Sequence, residues 1–173
     1  LKIDNLVFMP VQACSSAATA IVGQNVGAGR EDRVRTTAKC VVSASVAWCA
    51  LGIAVLYPIR SQLVGLFTKT PETIACGTLF VGCVLPGYFL LSIIFSLNSV
   101  MRGAGESVVP MLVAIIGQIF VRIPAVYLLA DYLGPKYMYY GFAIGWFVGA
   151  VLAVSYFLSG HWKRRRLAGA KQA

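Results

Sequence analysis

Charged residues are absent from 5–29, 40–59, 73–101 and 137–162, and the stretch 107–130 holds only Arg122. Apolar side chains fill these stretches, and the charges cluster between them. A bilayer core about 30 Å thick needs roughly 20 apolar residues as helix. Each stretch therefore predicts a transmembrane helix, at about 5–29, 38–59, 71–101, 108–130 and 138–160. One such run also fits a buried core helix, but five in succession exclude an ordinary soluble domain. The expectation is an all-α membrane protein with five transmembrane helices over 1–162 and a basic tail over 163–173.

Composition agrees: 58% of residues are hydrophobic, 12% are charged and the mean hydropathy is +0.77, whereas about a quarter of a soluble domain is charged. The net charge of +9 raises nucleic acid as a partner, but its placement argues for membrane lipid. With five spans, the link at 29–39, the link at 102–106 and the tail share one side. That side holds Arg30, Arg33, Arg35, Lys39, Arg102, Lys163, Arg164, Arg165, Arg166 and Lys171. The other holds Lys2, Arg60, Lys69 and Lys136. The positive-inside rule places the richer side, with the C-terminus, in the cytoplasm, so the expected location is the inner membrane, multi-pass. The run Lys163–Arg166 reads as a stop-transfer and headgroup anchor. Tyr137, Tyr139 and Tyr140 at one end of the last span and Trp162 at the other suit the two interfaces. The chain begins with Leu1, and no charged n-region or cleavage site precedes the first span. That span is expected not to be a signal peptide, and an upstream segment is expected to be missing.

Chemistry enters through polar residues inside the spans. In the first, Gln12, Ser15, Ser16, Thr19 and Gly23 recur at helical spacing on one face. Such a face meets either a neighbouring helix or a water-filled cavity. The second span is nearly all small or aliphatic, reads as a lipid-facing scaffold helix, and ends at Pro58. After a short amphipathic link, Thr70-Pro71-Glu72 looks like an N-cap, a first-turn proline and an acid at the positive helix end. The third span carries Pro86-Gly87 near its middle, then Tyr88, Ser92, Ser96 and Ser99 in a stripe with Asn98 close by. A proline there frees a carbonyl and kinks the helix, and the stripe below reads either as substrate lining or as interhelical hydrogen bonding. The fourth span holds Arg122, four residues after Gln118 and two before Pro124. A guanidinium at that depth costs a few kcal/mol, so it is expected to face the interior and to find an acid, carbonyls or water. The fifth span has Gly141, Gly145 and Gly149, a GxxxGxxxG groove for close helix approach. The candidate lining residues are therefore Gln12, Ser16, Thr19, Tyr88, Ser92, Asn98, Gln118 and Arg122.

Enzymatic and cofactor chemistry finds little support. The sole histidine, His161, has no nearby carboxylate, and the five cysteines form no CxxC pair. They read as small buried hydrophobes, with neither disulfide nor metal expected. The scaffold alternative gives no reason for polar stripes and kinks.

The two links on the basic side are the most distinctive features. The first reads Val22-Gly23-Gln24-Asn25-Val26-Gly27-Ala28-Gly29-Arg30 and the second Arg102-Gly103-Ala104-Gly105-Glu106-Ser107-Val108-Val109-Pro110. Gly27, Gly29, Gly103 and Gly105 predict tight turns with positive φ. No strand precedes and no Gly-Lys-Ser/Thr follows, so a phosphate loop is excluded. Together with Leu66–Glu72 and Arg122-Ile123-Pro124, these links resemble the MATE (multidrug and toxic compound extrusion) family along essentially the whole chain.

The resemblance implies helices eight to twelve of a twelve-helix, two-lobe transporter, a partial second lobe whose partner is the missing N-terminal lobe. It further implies H+- or Na+-coupled export of amphipathic, often cationic, small organic substrates by alternating access. No carboxylate lies between Thr73 and Met101, where some sodium-coupled members carry one, which leans towards coupling in the absent lobe. A lipid-linked oligosaccharide or lipid flippase of the same superfamily is the rival; it needs a strongly cationic cavity, and the spans offer only Arg122.

Overall fold

The computed structural model describes residues 2–163, although the side chains of 2–4, 6 and 163 are not described. The tail expected to anchor in headgroups lies, from Arg164 onward, outside the described residues. The order is α1 (Lys2–Gly27), α2 (Glu31–Leu56), α3 (Arg60–Gly65), α4 (Pro71–Gly103), α5 (Val108–Ile115), α6 (Arg122–Leu133) and α7 (Tyr140–Ser159). A π-helical segment, Ile116–Val121, joins α5 to α6, and 3-10 turns flank α7. No strand occurs among the described residues. Glu31–Leu56, Pro71–Gly103, Val108–Leu133 and Pro135–Ser159 are each long and apolar enough to cross a membrane, and α1, with 26 residues, is the fifth long helix.

The helix ends differ from the apolar stretches where polar residues are good helix formers. The first link shrinks to Ala28–Arg30, because Glu31 and Asp32 start α2, favoured by the positive helix end. Arg33, Arg35 and Lys39 thus lie on the first turns of α2 rather than in a loop. Thr70 does precede Pro71 in extended conformation, but its side chain makes no cap hydrogen bond. Of the four turn glycines, Gly29 (φ 75°) and Gly105 (φ 87°) adopt positive φ, whereas Gly27 and Gly103 complete α1 and α4.

Helix α4 is the hub, packed against α1, α2 and α7. Pro86 does not interrupt it, and beside that proline a Cβ on Gly87 would lie 2.4 Å from Cε3 of Trp146. The missing side chain is what lets the indole in. Where α1 crosses α4, a Cβ on Gly103 would sit 2.6 Å from the Thr19 carbonyl oxygen. One turn away, Thr19 Oγ1 donates to the Ser99 carbonyl at 3.1 Å. The glycines of α7 are all buried and receive the fourth span: Gly145 meets the Gly117 carbonyl, and Gly141 meets Val126.

That span does not simply kink at Pro124. Its turn widens into the π segment just upstream, where a proline removes a donor and crowds the carbonyl four residues back. π-turns are among the recognised causes of helix bends.

A side chain at Gly103 or Gly145 meets a backbone carbonyl first, with Val22 or Arg122 Cβ close behind, so overpacking of about 1–3 kcal/mol is expected. Gly103→Val and Gly145→Val should each lower the melting temperature of the detergent-purified full-length protein, followed by tryptophan fluorescence. Gly27→Ala, which meets nothing within 4 Å, should leave it unchanged or slightly raised.

Candidate functional site

The sequence-predicted residues separate once they are folded. The polar stripe of α1 divides: Ser15 is buried and Thr19 bonds to α4, while Gln12 and Ser16 remain exposed. The serine stripe of α4 turns inward. Ser92 and Ser99 have no exposed surface and donate to the Phe89 and Ser96 carbonyls at 2.8 and 2.7 Å. Ser92 thus occupies packed interior, and Thr19 a helix crossing, rather than a cavity wall.

The adjacent face of α4 is different. Leu91, Phe95, Asn98 and Arg102, at helical spacing, form the floor of a groove of about 320 Å³. Its walls include Gln118 and Gly117 of the π segment and Gly145, Trp146 and Gly149 of α7. Phe95 and Arg102 also line a polar recess of about 250 Å³ with Gln12, Ser15 and Ser16 of α1. At the other end, Leu91 and Trp146 continue into an aromatic recess of about 260 Å³ with Phe8, Phe80, Tyr88 and Phe142. Gln12, Ser16, Tyr88, Asn98 and Gln118 therefore line three neighbouring spaces that share wall residues.

Rings form the wall of its aromatic end. Phe8 meets Phe95 edge-on at 4.7 Å and Tyr88 at 6.3 Å, and Trp146 lies 5.8 Å from Tyr88 and 6.1 Å from Phe142. Arg122 sits behind this wall. Its carbon Cζ lies 3.5 Å from the Phe142 ring centroid, and Nη1 donates to Gln118 Oε1 at 2.8 Å. The expectation of an acid, carbonyls or water is thus met instead by a π face and a side-chain amide one turn back.

Two buried polar atoms of groove-lining residues, Asn98 Oδ1 and Trp146 Nε1, have no hydrogen-bond partner among the described residues. An unsatisfied buried acceptor or donor costs about 1–3 kcal/mol; here one of each borders the same groove.

Sequence reasoning missed Trp146, Phe95 and Phe142 as wall residues, since isolated aromatics in an apolar span look like core. It also missed Glu106. That carboxylate is buried where α4 turns into α5: Oε1 accepts from the amides of Val108 and Val109 at 3.1 and 3.4 Å, and Oε2 from the Tyr156 hydroxyl at 3.4 Å. An acid just before a helix start was its signal in the sequence.

The match to known proteins falls on these same elements. The model of the family described as MatE matches residues 1–128, from α1 into α6, including both glycine turns. The chain belongs to the MatE family. Among MatE-like relatives, a Bacillus subtilis (strain 168) protein named Probable multidrug resistance protein YpnP is 29% identical over 166 residues, 96% of this chain and 37% of the relative. A Thermotoga maritima protein named Probable multidrug resistance protein NorM is 26% identical over 167 residues, 95% of this chain and 36% of the relative. The chain thus spans little more than a third of the length of these curated relatives. MatE membership and the long apolar helices make this a multi-pass membrane protein.

In this MatE chain, the Arg122 contacts should be energetically coupled. Phe142→Leu and Gln118→Ala should each destabilise the full-length protein by about 0.5–2 kcal/mol. The double variant should depart from additivity, because both residues serve one guanidinium. Thermal melts of the single variants, the double variant and Arg122→Met supply the cycle.

Proposed function

We propose that the complete protein is a cation-coupled antiporter that exports amphipathic, often cationic, organic compounds by alternating access, and that this chain supplies part of one lobe. The observation that carries the reading is the row of adjoining grooves over α4, with aromatic rings at one end, amides and hydroxyls at the other, and Asn98 and Trp146, whose Oδ1 and Nε1 are unpartnered among the described residues, in the walls. Ring faces attract organic cations, and a few directed polar atoms in an apolar wall orient a ligand. The names of the relatives, both multidrug resistance proteins, support the same substrate class.

Gln12, Ser16, Tyr88, Asn98 and Gln118 are then lining residues, Arg122 positions Gln118 and Phe142, Thr19 ties α1 to α4, and Ser92 packs in the interior. Among the described residues, the groove walls contain no carboxylate. That favours a coupling acid on the other lobe, for either H+ or Na+. The charge bias supports an inner-membrane location with the C-terminus in the cytoplasm. A flippase for pyrophosphate-linked lipids would need clustered cations, and among the described residues the groove offers Arg102 alone.

Cells expressing the full-length protein should accumulate less of a fluorescent cationic dye than control cells, and collapsing the H+ or Na+ gradient should abolish the difference. Asn98→Ala and Trp146→Phe should reduce export several-fold at unchanged membrane abundance, since each alters a residue of the groove wall. Dye accumulation equal to that of the empty vector under both gradients would remove the antiporter reading.

A further inference from the structure

On the opposite side of α4 lies a second groove that the transport reading does not use. At about 100° per residue, Leu97 projects nearly opposite Phe95 and Arg102 and about a quarter-turn from Asn98. Leu97 floors a channel of about 330 Å³ between Ala38, Val42 and Val46 of α2 and Phe157 of α7. Lys39 and Phe157 continue it into a recess of about 240 Å³ that also contains Arg35 and Trp162.

Arg35, Lys39, Val42 and Val46 share one face of α2, so the two spaces form one track about 16 Å long at 1.5 Å per residue. The track is apolar within the span and cationic at the end where α2 begins. Arg35 and Lys39 are exposed, and neither has a hydrogen bond or ion pair among the described residues. Trp162 is fixed as a wall: its ring stacks on Phe157 at 5.5 Å and 8°, and its Nε1 donates to the Phe157 carbonyl at 3.1 Å.

We infer that this groove binds one anionic phospholipid, its acyl chain along Val42, Val46, Leu97 and Phe157 and its headgroup phosphate on Arg35 and Lys39. Charge complementarity selects the occupant. An unpaired guanidinium and an unpaired ammonium, one helical turn apart at the membrane interface beside an indole, match an anionic headgroup. An apolar slot directly beneath them matches its chain. The basic end tells a phospholipid from a plain hydrocarbon, and the apolar end tells it from a soluble phosphate. The inference stands apart from the transport reading, because it uses none of the residues of the other groove.

The test uses the detergent-purified full-length protein and native mass spectrometry, with phosphatidylglycerol or phosphatidylcholine added in turn. Wild type should retain one phosphatidylglycerol in preference to phosphatidylcholine. The double variant Arg35→Gln/Lys39→Gln should lose phosphatidylglycerol affinity by roughly fivefold for each cation removed and keep its phosphatidylcholine binding. Val42→Trp, which fills the slot, should weaken both lipids, and Arg33→Gln, on the far side of α2, should change neither. Both cation positions are exposed, so folding is not at stake in the double variant. Equal retention of the two lipids by wild type, or unchanged phosphatidylglycerol affinity in the double variant, would overturn the site. Displacement by millimolar glycerol phosphate would likewise overturn it, by showing that the headgroup alone is bound.

Discussion

Close approach of helix backbones is the constraint on which this bundle rests. Lipid tails are as apolar as leucine, so helices in a bilayer gain little by merely burying side chains against one another. They associate through dispersion contacts and interhelical hydrogen bonds that need short distances. Here those distances are bought by glycine. With a Cβ at Gly103, α1 would be held off α4, and the Thr19 hydroxyl would lose the Ser99 carbonyl, now 3.1 Å away. With one at Gly145, the π segment would be pushed from α7, and Gln118 and Arg122 would move with it. Gly87 plays the same part for Trp146. Removing a few methyl-sized volumes sets how closely α1, α7 and the fourth span pack around α4.

Once the helices are that close, α4 divides its polar residues by direction. Serines facing α1 and α2 have no exposed surface, and Ser92 and Ser99 return their protons to carbonyls within their own helix. Asn98 and Arg102 line the gap between the π segment of the fourth span and α7. Burial is not uniformly satisfied: Ser15, Ser45, Thr78 and Ser96 also hold unpartnered oxygens, and of these four Ser15 alone lines a recess beside α4. Asn98 and Trp146 both line the groove between α4, the fourth span and α7.

Much of this fold was legible in the sequence because bilayer thickness demands long uncharged runs, and such runs survive any detail of packing. The glycine groove on α7 was legible for a similar reason, since only close approach explains that spacing. Helix starts were less so: Glu31 and Asp32 look like loop residues by hydropathy, yet they favour the positive end of α2. The candidate site was only half legible. A polar stripe reports that a face avoids lipid, but not whether it meets a helix or a cavity, and α1 does both, with Thr19 on one side and Gln12 and Ser16 on the other. The aromatic wall left no periodic trace, because Phe8, Tyr88, Phe142 and Trp146 come from three helices. The partner of Arg122 was hidden for the same reason, since Phe142 lies on another helix.

The two grooves follow from one property of α4, that its sides carry different chemistry. The side with Asn98 and Arg102 would be costly to expose to hydrocarbon, so in the whole protein it must face water, a ligand or another part of the molecule. The side with Leu97 carries no such cost and can face lipid directly. A cation track at the lipid-facing groove then has a mechanical consequence. A phospholipid held between α2 and α7 would brace these helices across the back of α4, leaving the opposite groove free to change width. Arg35 and Lys39 would then serve the bracing of the bundle from behind, and Asn98 and Trp146 the shape of the groove in front.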